Sequence, residues 1–167
     1  CGGVGLNLIQ AANMRSVARV YGVDINKKMI DLSYIMGVTF FTESIKNIED
    51  SVDVIIDTTG IPEVIAEAYE KLSPSGRLIL VGQPAPGKSI EFPNAVSMFD
   101  GSGKSVRATQ GGGTIPQIDI PRYIELAQRG ILHYEQLHTD TFSLDEVNEA
   151  FDLLKSGNAG RIMIQIG

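Results

Sequence analysis

The chain of 167 residues is poor in the residues that build covalent or metal staples: it has one cysteine, Cys1, two histidines and no tryptophan. One thiol cannot close an internal disulfide, so no extracellular disulfide framework is implied. Nor can it build a Cys-rich structural zinc site. Long apolar runs are also missing. The stretch 78–81 is among the longest, against the roughly 20 residues that a membrane-spanning helix needs. No charged-then-apolar leader opens these residues, so no signal peptide is read in them. Positive charge is short as well. Fourteen Lys and Arg face 20 Asp and Glu, a formal net charge of −6, which argues against a broad nucleic-acid surface. The expectation is a cytoplasmic protein with neither a nucleic-acid nor a membrane partner.

What is present is ordinary globular composition, 43% apolar and 20% charged, with enough length for a real core. Strand-like and helix-like stretches alternate. Residues 4–14 read as a helix with Val4, Leu8, Ile9 and Ala12 on one face. A β-branched strand at 17–23 ends at Asp24, and Asn26 caps the helix that Gly37 closes. Short strands are expected at 38–41, 52–57, 77–82, 90–92 and 104–109, helices at 62–72 and 93–99, and a turn at Ser73-Pro74-Ser75-Gly76. After the glycine hinge Gln110-Gly111-Gly112-Gly113 come a helix at 121–129 stopped by Gly130 and a capping box Ser143-Leu144-Asp145-Glu146. That box opens a helix ending at Gly157, and a terminal strand follows at 161–166. This alternation predicts an α/β fold, a doubly wound parallel sheet with ligands at the carboxyl ends of its strands.

Two features carry chemistry. Cys1-Gly2-Gly3-Val4-Gly5 directly precedes a helix. With a glycine before Cys1 it would complete the G-x-G-x-x-G fingerprint, so the sequence reads as a piece of a longer protein that begins inside its own glycine loop. In that fingerprint Gly2 lets the backbone approach a pyrophosphate, and Gly5 lets the helix pack close to the preceding strand. The helix N-terminus supplies amides and partial positive charge. Alone, this is also what any glycine turn before a helix looks like. The second feature is Asp24, which ends the next strand at about the expected 20-residue spacing. A carboxylate there accepts from ribose hydroxyls and repels the extra phosphate of NADP, favouring NAD. A methyltransferase fold also places a glycine loop and then an acid, and the residues up to Asp24 do not separate the two.

Later residues do. Cys1-Gly2-Gly3-Val4-Gly5-Leu6-Asn7, Gly22-Val23-Asp24-Ile25-Asn26-Lys27 and Val81-Gly82-Gln83-Pro84 resemble the coenzyme domain of zinc-type medium-chain alcohol dehydrogenases. Gly112-Gly113, Ile120-Pro121-Arg122-Tyr123-Ile124-Glu125-Leu126 and the run from Phe142 to Gly157 resemble that family's C-terminal portion. The resemblance covers essentially the whole chain. It implies a Rossmann-like fold lacking its first strand, with 1–109 as the NAD-binding domain and 110–167 as a segment that completes the catalytic domain in the parent enzyme. It implies that Gly2, Gly3, Val4 and Gly5 line the pyrophosphate, with Asp24 on the adenine ribose and Lys27 nearby. Thr58, Thr59 and Gly60 would lie near the cofactor's middle. Val81, Gly82, Gln83, Ala108, Thr109 and Gln110 would lie by the nicotinamide, and Arg161 would reach the pyrophosphate. Lys27 and Arg161 equally read as solvated charges, and Thr58 and Thr59 as a strand end.

The family's catalytic zinc ligands have no counterpart here. His133 and His138 lack ligand-spaced partners, so no catalytic or metal-binding residue is assigned, and the chain alone is expected to be inactive. The implied parent reaction is hydride transfer between an alcohol, of aryl, allylic or thiol-adduct type, and NAD. A homodimer or homotetramer is expected. The alternatives are a zinc-free quinone or enoyl reductase using NADP, and a non-catalytic Rossmann module. The resemblance also leaves the empty first-strand slot at the centre of the sheet, and the terminal strand at 161–166 without its usual partner.

Overall fold

The computed structural model describes residues 1–167, and every strand pairing in it is parallel. The chain folds as two compact units, Cys1–Glu43 with Ile115–Gly167, and Ser44–Thr114. Sequence reading divides it differently, at 109/110. The first unit takes both ends of the chain.

In the first unit, α1 (Gly3–Asn13) leads into β1 (Tyr21–Val23), α2 (Ile30–Ile35) and β2 (Phe40–Thr42). Strands β1 and β2 pair Tyr21 with Phe40 and Val23 with Thr42. Leu6 and Ile9 on α1 are buried with Met36, Val38 and Leu137, and half-buried Val20, Leu32 and Phe41 close over them. The Asn13 amide nitrogen donates to the carbonyls of Ile9, Met36 and Gly37 at 3.0, 3.2 and 2.9 Å. It thereby fixes the end of α1 to the turn where Gly37 takes φ +100°, a conformation that costs glycine little. As expected, Asn26 caps the turn into α2, its side chain accepting from the Lys28 amide at 3.0 Å.

Buried Gln10 holds a connection among the last elements, accepting from the His133 backbone N–H at 2.7 Å. Those elements are α4 (Pro116–Gln128), β6 (His138–Ser143), α5 (Val147–Lys155) and β7 (Arg161–Gln165), with β6 and β7 paired. The terminal strand thus has a partner, in a strand that polar His138-Thr139-Asp140-Thr141 does not announce. Helix α4 begins five residues before the expected 121, because Pro116 occupies its first turn and Asp119 accepts from the Ile115 amide at 2.8 Å. It buries no side chain, and Ile118, Ile120 and Ile124 stay exposed.

The second unit contains β3 (Val52–Asp57), α3 (Pro62–Glu70), β4 (Leu72–Leu80) and β5 (Ser105–Ala108), in sheet order β3-β4-β5. Ile65, Ala68 and Tyr69 of α3 are buried, as are Leu72 and Leu78 of β4. The Tyr69 ring packs on Phe92 at a centroid distance of 4.6 Å, with the Lys104 ammonium 5.3 Å above its face. Ser73-Pro74-Ser75-Gly76, expected as a turn, lies inside β4. Leu72 pairs with Val52 and Arg77 with Val54, so the intervening residues bulge out of the ladder. Ser75 accommodates this with φ +65°. Residues 90–92 form no strand, Phe92 packing by its ring on Tyr69 without a backbone ladder, and 95–99 is a 3₁₀ turn. The single doubly wound sheet of the sequence reading is therefore divided into parallel pieces of two, three and two strands. Strand β3 pairs on one side only, and its Val54 and Ile56 are 42% and 40% exposed. An open edge of that kind keeps backbone donors and apolar side chains in water.

The capping box forms around an exposed carboxylate. Glu146 accepts from the Ser143 backbone N–H at 2.9 Å and from its hydroxyl at 2.7 Å, and these two bonds hold its carboxyl below the usual carboxylate range. Unfolding returns the group to its ordinary value. The cap's contribution is therefore complete above that value and is lost as pH falls through the lowered one. We expect Ser143→Ala to move the Glu146 pKa upward in a carbon-detected NMR titration; an unchanged midpoint would show that the hydroxyl is not the cause.

Candidate functional site

The residues singled out by the sequence fall into two groups, one in each unit. In the first unit, α1 starts with Gly2 as its cap residue, in extended conformation and without a side-chain cap bond; no acid lies in the first turn. The first intrahelical bond of this turn runs from the Leu6 N–H to the Gly2 carbonyl at 2.9 Å. The amides of Gly3, Val4 and Gly5 precede it, with the positive end of the helix dipole behind them. The Arg161 side chain, at the start of β7, lies beside this turn: a Cβ on Gly3 would sit 2.9 Å from its Nε. A cation and a row of amides thus converge on one helix start, the donor set that a phosphate requires.

Asp24 follows β1, its backbone N–H bonded to the Thr42 carbonyl at 3.1 Å. One carboxylate oxygen accepts from the Asn26 amide at 2.8 Å. The other turns toward the start of α1 and accepts from the Cys1 amino group at 2.6 Å. With the side chain 20% exposed, this second oxygen is already placed to receive a donor. Lys27 turns elsewhere, to Glu43 at 2.8 Å, and the hydrogen bond to that carboxylate raises its pKa. Both side chains are well exposed, so the pair contributes little to stability.

Gly2 and Gly5 both face open space, which differs from the sequence expectation for Gly5 alone. A Cβ on either would meet nothing within 4 Å. The packing reason for Gly5 is therefore not realised, because no strand lies against that face of α1.

In the second unit the exits of three adjacent parallel strands lie level. Asp57 pairs with Leu80, and Leu80 with Ala108. Thr58-Thr59-Gly60, Val81-Gly82-Gln83 and Thr109-Gln110 therefore leave the sheet side by side, at the carboxyl edge where α/β folds bind ligands. Thr109 caps its exit, its N–H donating to the Leu80 carbonyl at 2.9 Å while its hydroxyl accepts from the Gly112 amide at 3.2 Å. The first two exits touch backbone to backbone. A Cβ on Gly82 would lie 2.3 Å from the Gly60 nitrogen, and one on Gly60, at φ +67°, would lie 2.4 Å from the Gln83 oxygen.

Asp57, which sequence reading took only as the end of a strand, governs this arrangement. Its side chain accepts from the Thr59 N–H at 3.2 Å, the Thr59 hydroxyl at 2.7 Å and the Gly60 N–H at 2.9 Å. Its backbone carbonyl accepts from the Val81 and Gly82 amides at 2.9 and 3.0 Å. The residue is 5% exposed, and charge-assisted bonds at such a site are worth about 1.5–3 kcal/mol each. The available signal was local: an Asp two residues before an amide, ahead of glycine, is an Asx-turn pattern.

No group of three or more His, Cys, Asp and Glu side chains is close enough to hold a metal ion. The ring Nε2 of His138 bonds within β6, 3.0 Å from the Asp140 carbonyl and 2.8 Å from the Thr141 hydroxyl. These residues do not fit a zinc ion. In the first unit, amides and a guanidinium at one helix start offer donors to an anion; in the second unit, three strand exits lie level. No helix is long and apolar enough to cross a membrane.

The fold defines an α/β protein of the Rossmann-like class. Residues 3–129 match the zinc-binding dehydrogenase family, and the chain belongs to it. It is 29% identical to alcohol dehydrogenase-like 2 of Arabidopsis thaliana, over 98% of this chain and 45% of that protein. It is 26% identical to S-(hydroxymethyl)glutathione dehydrogenase of Paracoccus denitrificans, over 98% of this chain and 47% of the relative. The chain thus spans about half the length of the curated relatives it matches. Its fold is that of benzyl alcohol dehydrogenase from Acinetobacter calcoaceticus, with a TM-score of 0.90 at 24% identity over 99% of this chain and 48% of that one. An E. coli alcohol dehydrogenase complexed with NADH superposes at a TM-score of 0.81 and 20% identity, over 99% of this chain and 50% of that one.

The glycine geometry separates two kinds of substitution. Gly82→Ala must push two backbones apart and is expected to destabilise by about 1–3 kcal/mol. Gly5→Ala enters open space inside α1 and is expected to stabilise by about 0.5–1 kcal/mol. Urea unfolding of both variants checks the order; a Gly82→Ala chain as stable as the original would contradict the close approach.

Proposed function

We propose that this chain is the NAD-binding part of a zinc-dependent alcohol dehydrogenase-like oxidoreductase. The observation that carries the reading is the Asp24 carboxylate, fixed by Asn26 with its second oxygen turned toward the start of α1. A ribose diol can donate to that oxygen, and the extra phosphate of NADP would be repelled by it. In the first unit, the α1 amides with Arg161 are the proposed pyrophosphate contacts; in the second, the β3, β4 and β5 exits are the proposed contacts of the nicotinamide end, with Thr58, Thr59 and Gly60 assigned toward the cofactor's middle. Lys27 enters this reading as a cation near Asp24 that exchanges Glu43 for the ligand. Membership of the zinc-binding dehydrogenase family supports the oxidoreductase class, and a neighbour in fold is complexed with NADH.

Bound NAD supplies the hydride chemistry, and the protein's part is to hold and orient it. The substrate is proposed to be a small alcohol or its aldehyde, of the aryl, allylic or thiol-adduct kind. Relatives named for S-(hydroxymethyl)glutathione and benzyl alcohol support that choice. Zinc, where the whole enzyme uses it, is held by residues other than those of this chain. The assembly is proposed to be a cytoplasmic homodimer or homotetramer.

Calorimetric titration tests the cofactor. The expected result is NAD binding with a clear preference over NADP, and an Asp24→Asn chain that binds NAD more weakly and prefers it less. Clear NADP preference in the unaltered chain would instead support a quinone or enoyl reductase. The chain by itself is expected to turn over no alcohol in an NADH absorbance assay, and NAD-dependent turnover would refute that division of labour.

A further inference from the structure

We infer that Asp57 is a positioning residue for the nicotinamide end of the cofactor, acting through the loops it holds and not by touching the ligand. This rests on the cofactor reading above. The argument begins with where its bonds go. The carboxylate is 5% exposed and both of its oxygens are used inside the protein, on Thr59 and Gly60. The residue's own carbonyl takes the Val81 and Gly82 amides. One residue therefore fixes the β3 exit with its side chain and the β4 exit with its backbone.

The fixation extends one step further. The Thr59 hydroxyl that donates to Asp57 also accepts from the Ile61 N–H at 3.1 Å, and Ile61 is the cap residue of α3. The path of the loop from strand to helix thus hangs on a single chain of bonds, Asp57 to Thr59 to Ile61. Only a carboxylate serves at its head. Three donors converge on two oxygens, and replacing one oxygen by an amide nitrogen sets donor against donor. The closeness of the loops leaves no slack, because Gly60 and Gly82 have no room for a Cβ. If the Asp57 bonds are broken, the loop that includes Thr58 and Gly60 moves relative to Val81 and Gly82. A ligand lying on both then loses its seat.

The test uses the full chain, NADH fluorescence and two ligands. NADH carries the nicotinamide; ADP-ribose lacks it. Asp57→Asn and Thr59→Val are expected to weaken NADH binding by about tenfold and to abolish the rise in nicotinamide emission on binding. Affinity for ADP-ribose, which still reaches the loop at the cofactor's middle, should fall clearly less than that for NADH. Thr59→Ser, which keeps the hydroxyl, is expected to restore the emission. Asp53→Ala removes the acceptor of a bond from the Ser73 hydroxyl, 2.7 Å long, at the opposite end of β3. It is expected to lower stability without changing the emission, which separates positioning from a general loosening of the sheet. If Asp57→Asn fails to fold, the Thr59→Val and Thr59→Ser pair decides. Folded variants that bind NADH like the unaltered chain would overturn the role of Asp57 alone, as would an equal loss of NADH and ADP-ribose. An unaltered chain that gives no emission change and binds neither ligand would overturn the cofactor reading, and the role of Asp57 with it.

Discussion

A parallel strand ends with its last backbone groups directed into a loop, and something must receive them before the chain can reverse into a helix. In this protein a carboxylate does so at two strand ends. Asp24 after β1 accepts from the amide two residues on, Asn26, and Asp57 at the end of β3 accepts from the amide two residues on, Thr59. The local device is the same Asx turn. Burial makes the difference between them. Asp57 is sealed and surrounded by donors, so all of its hydrogen-bonding capacity is spent on shaping the loop. Asp24 is partly open, and one of its oxygens accepts from a group outside its own turn, the Cys1 amino group. From one motif come an acid whose bonds stay within its own loops and an acid that reaches beyond its own turn.

That distinction explains what could be read in advance. Asp24 was legible because its spacing from the glycine run is fixed by the length of one helix and one strand, a property of the chain itself. Asp57 has no such spacing rule. Its importance depends on the level register of Asp57, Leu80 and Ala108 across three strands, and register between strands distant in sequence is not written in any one of them. The same holds for the close approach of Gly60 and Gly82, which is a fact about two loops and not about either one.

The elements divide in the same way. Helices with their own punctuation came out nearly where the sequence puts them: α1, the turn capped by Asn26, and α5 behind the Ser143–Glu146 box. These signals are local, so tertiary structure rarely overrides them. Strands were less legible. Residues 73–76 have turn chemistry and do turn, yet the ladder continues on both sides of them, because Leu72 and Arg77 each find partners on β3. β6 is polar but for Phe142, and its strand is defined by its pairing with β7. The helix α4 starts early because a proline and an aspartate supply its first turn, while Pro121, the residue that suggested a start, sits inside it.

The glycines complete the argument, because they show two different reasons for lacking a side chain. Gly60 and Gly82 are required by the protein: backbone lies where a Cβ would be. Gly2 and Gly5 are not required by any neighbour in these residues. Gly2 also has an extended backbone that any residue adopts, so conformation does not demand it either. A bare backbone in that position, with three helix amides and a guanidinium close by, is of use to a partner that must come nearer than a side chain would allow. Phosphate oxygens are such a partner. The β3 and β4 exits are thus explained by backbone already in place, whereas Gly2 and Gly5 leave their space open, and the carboxylates divide along the same line: Asp57 is spent within its own loops, and Asp24 reaches outside its turn.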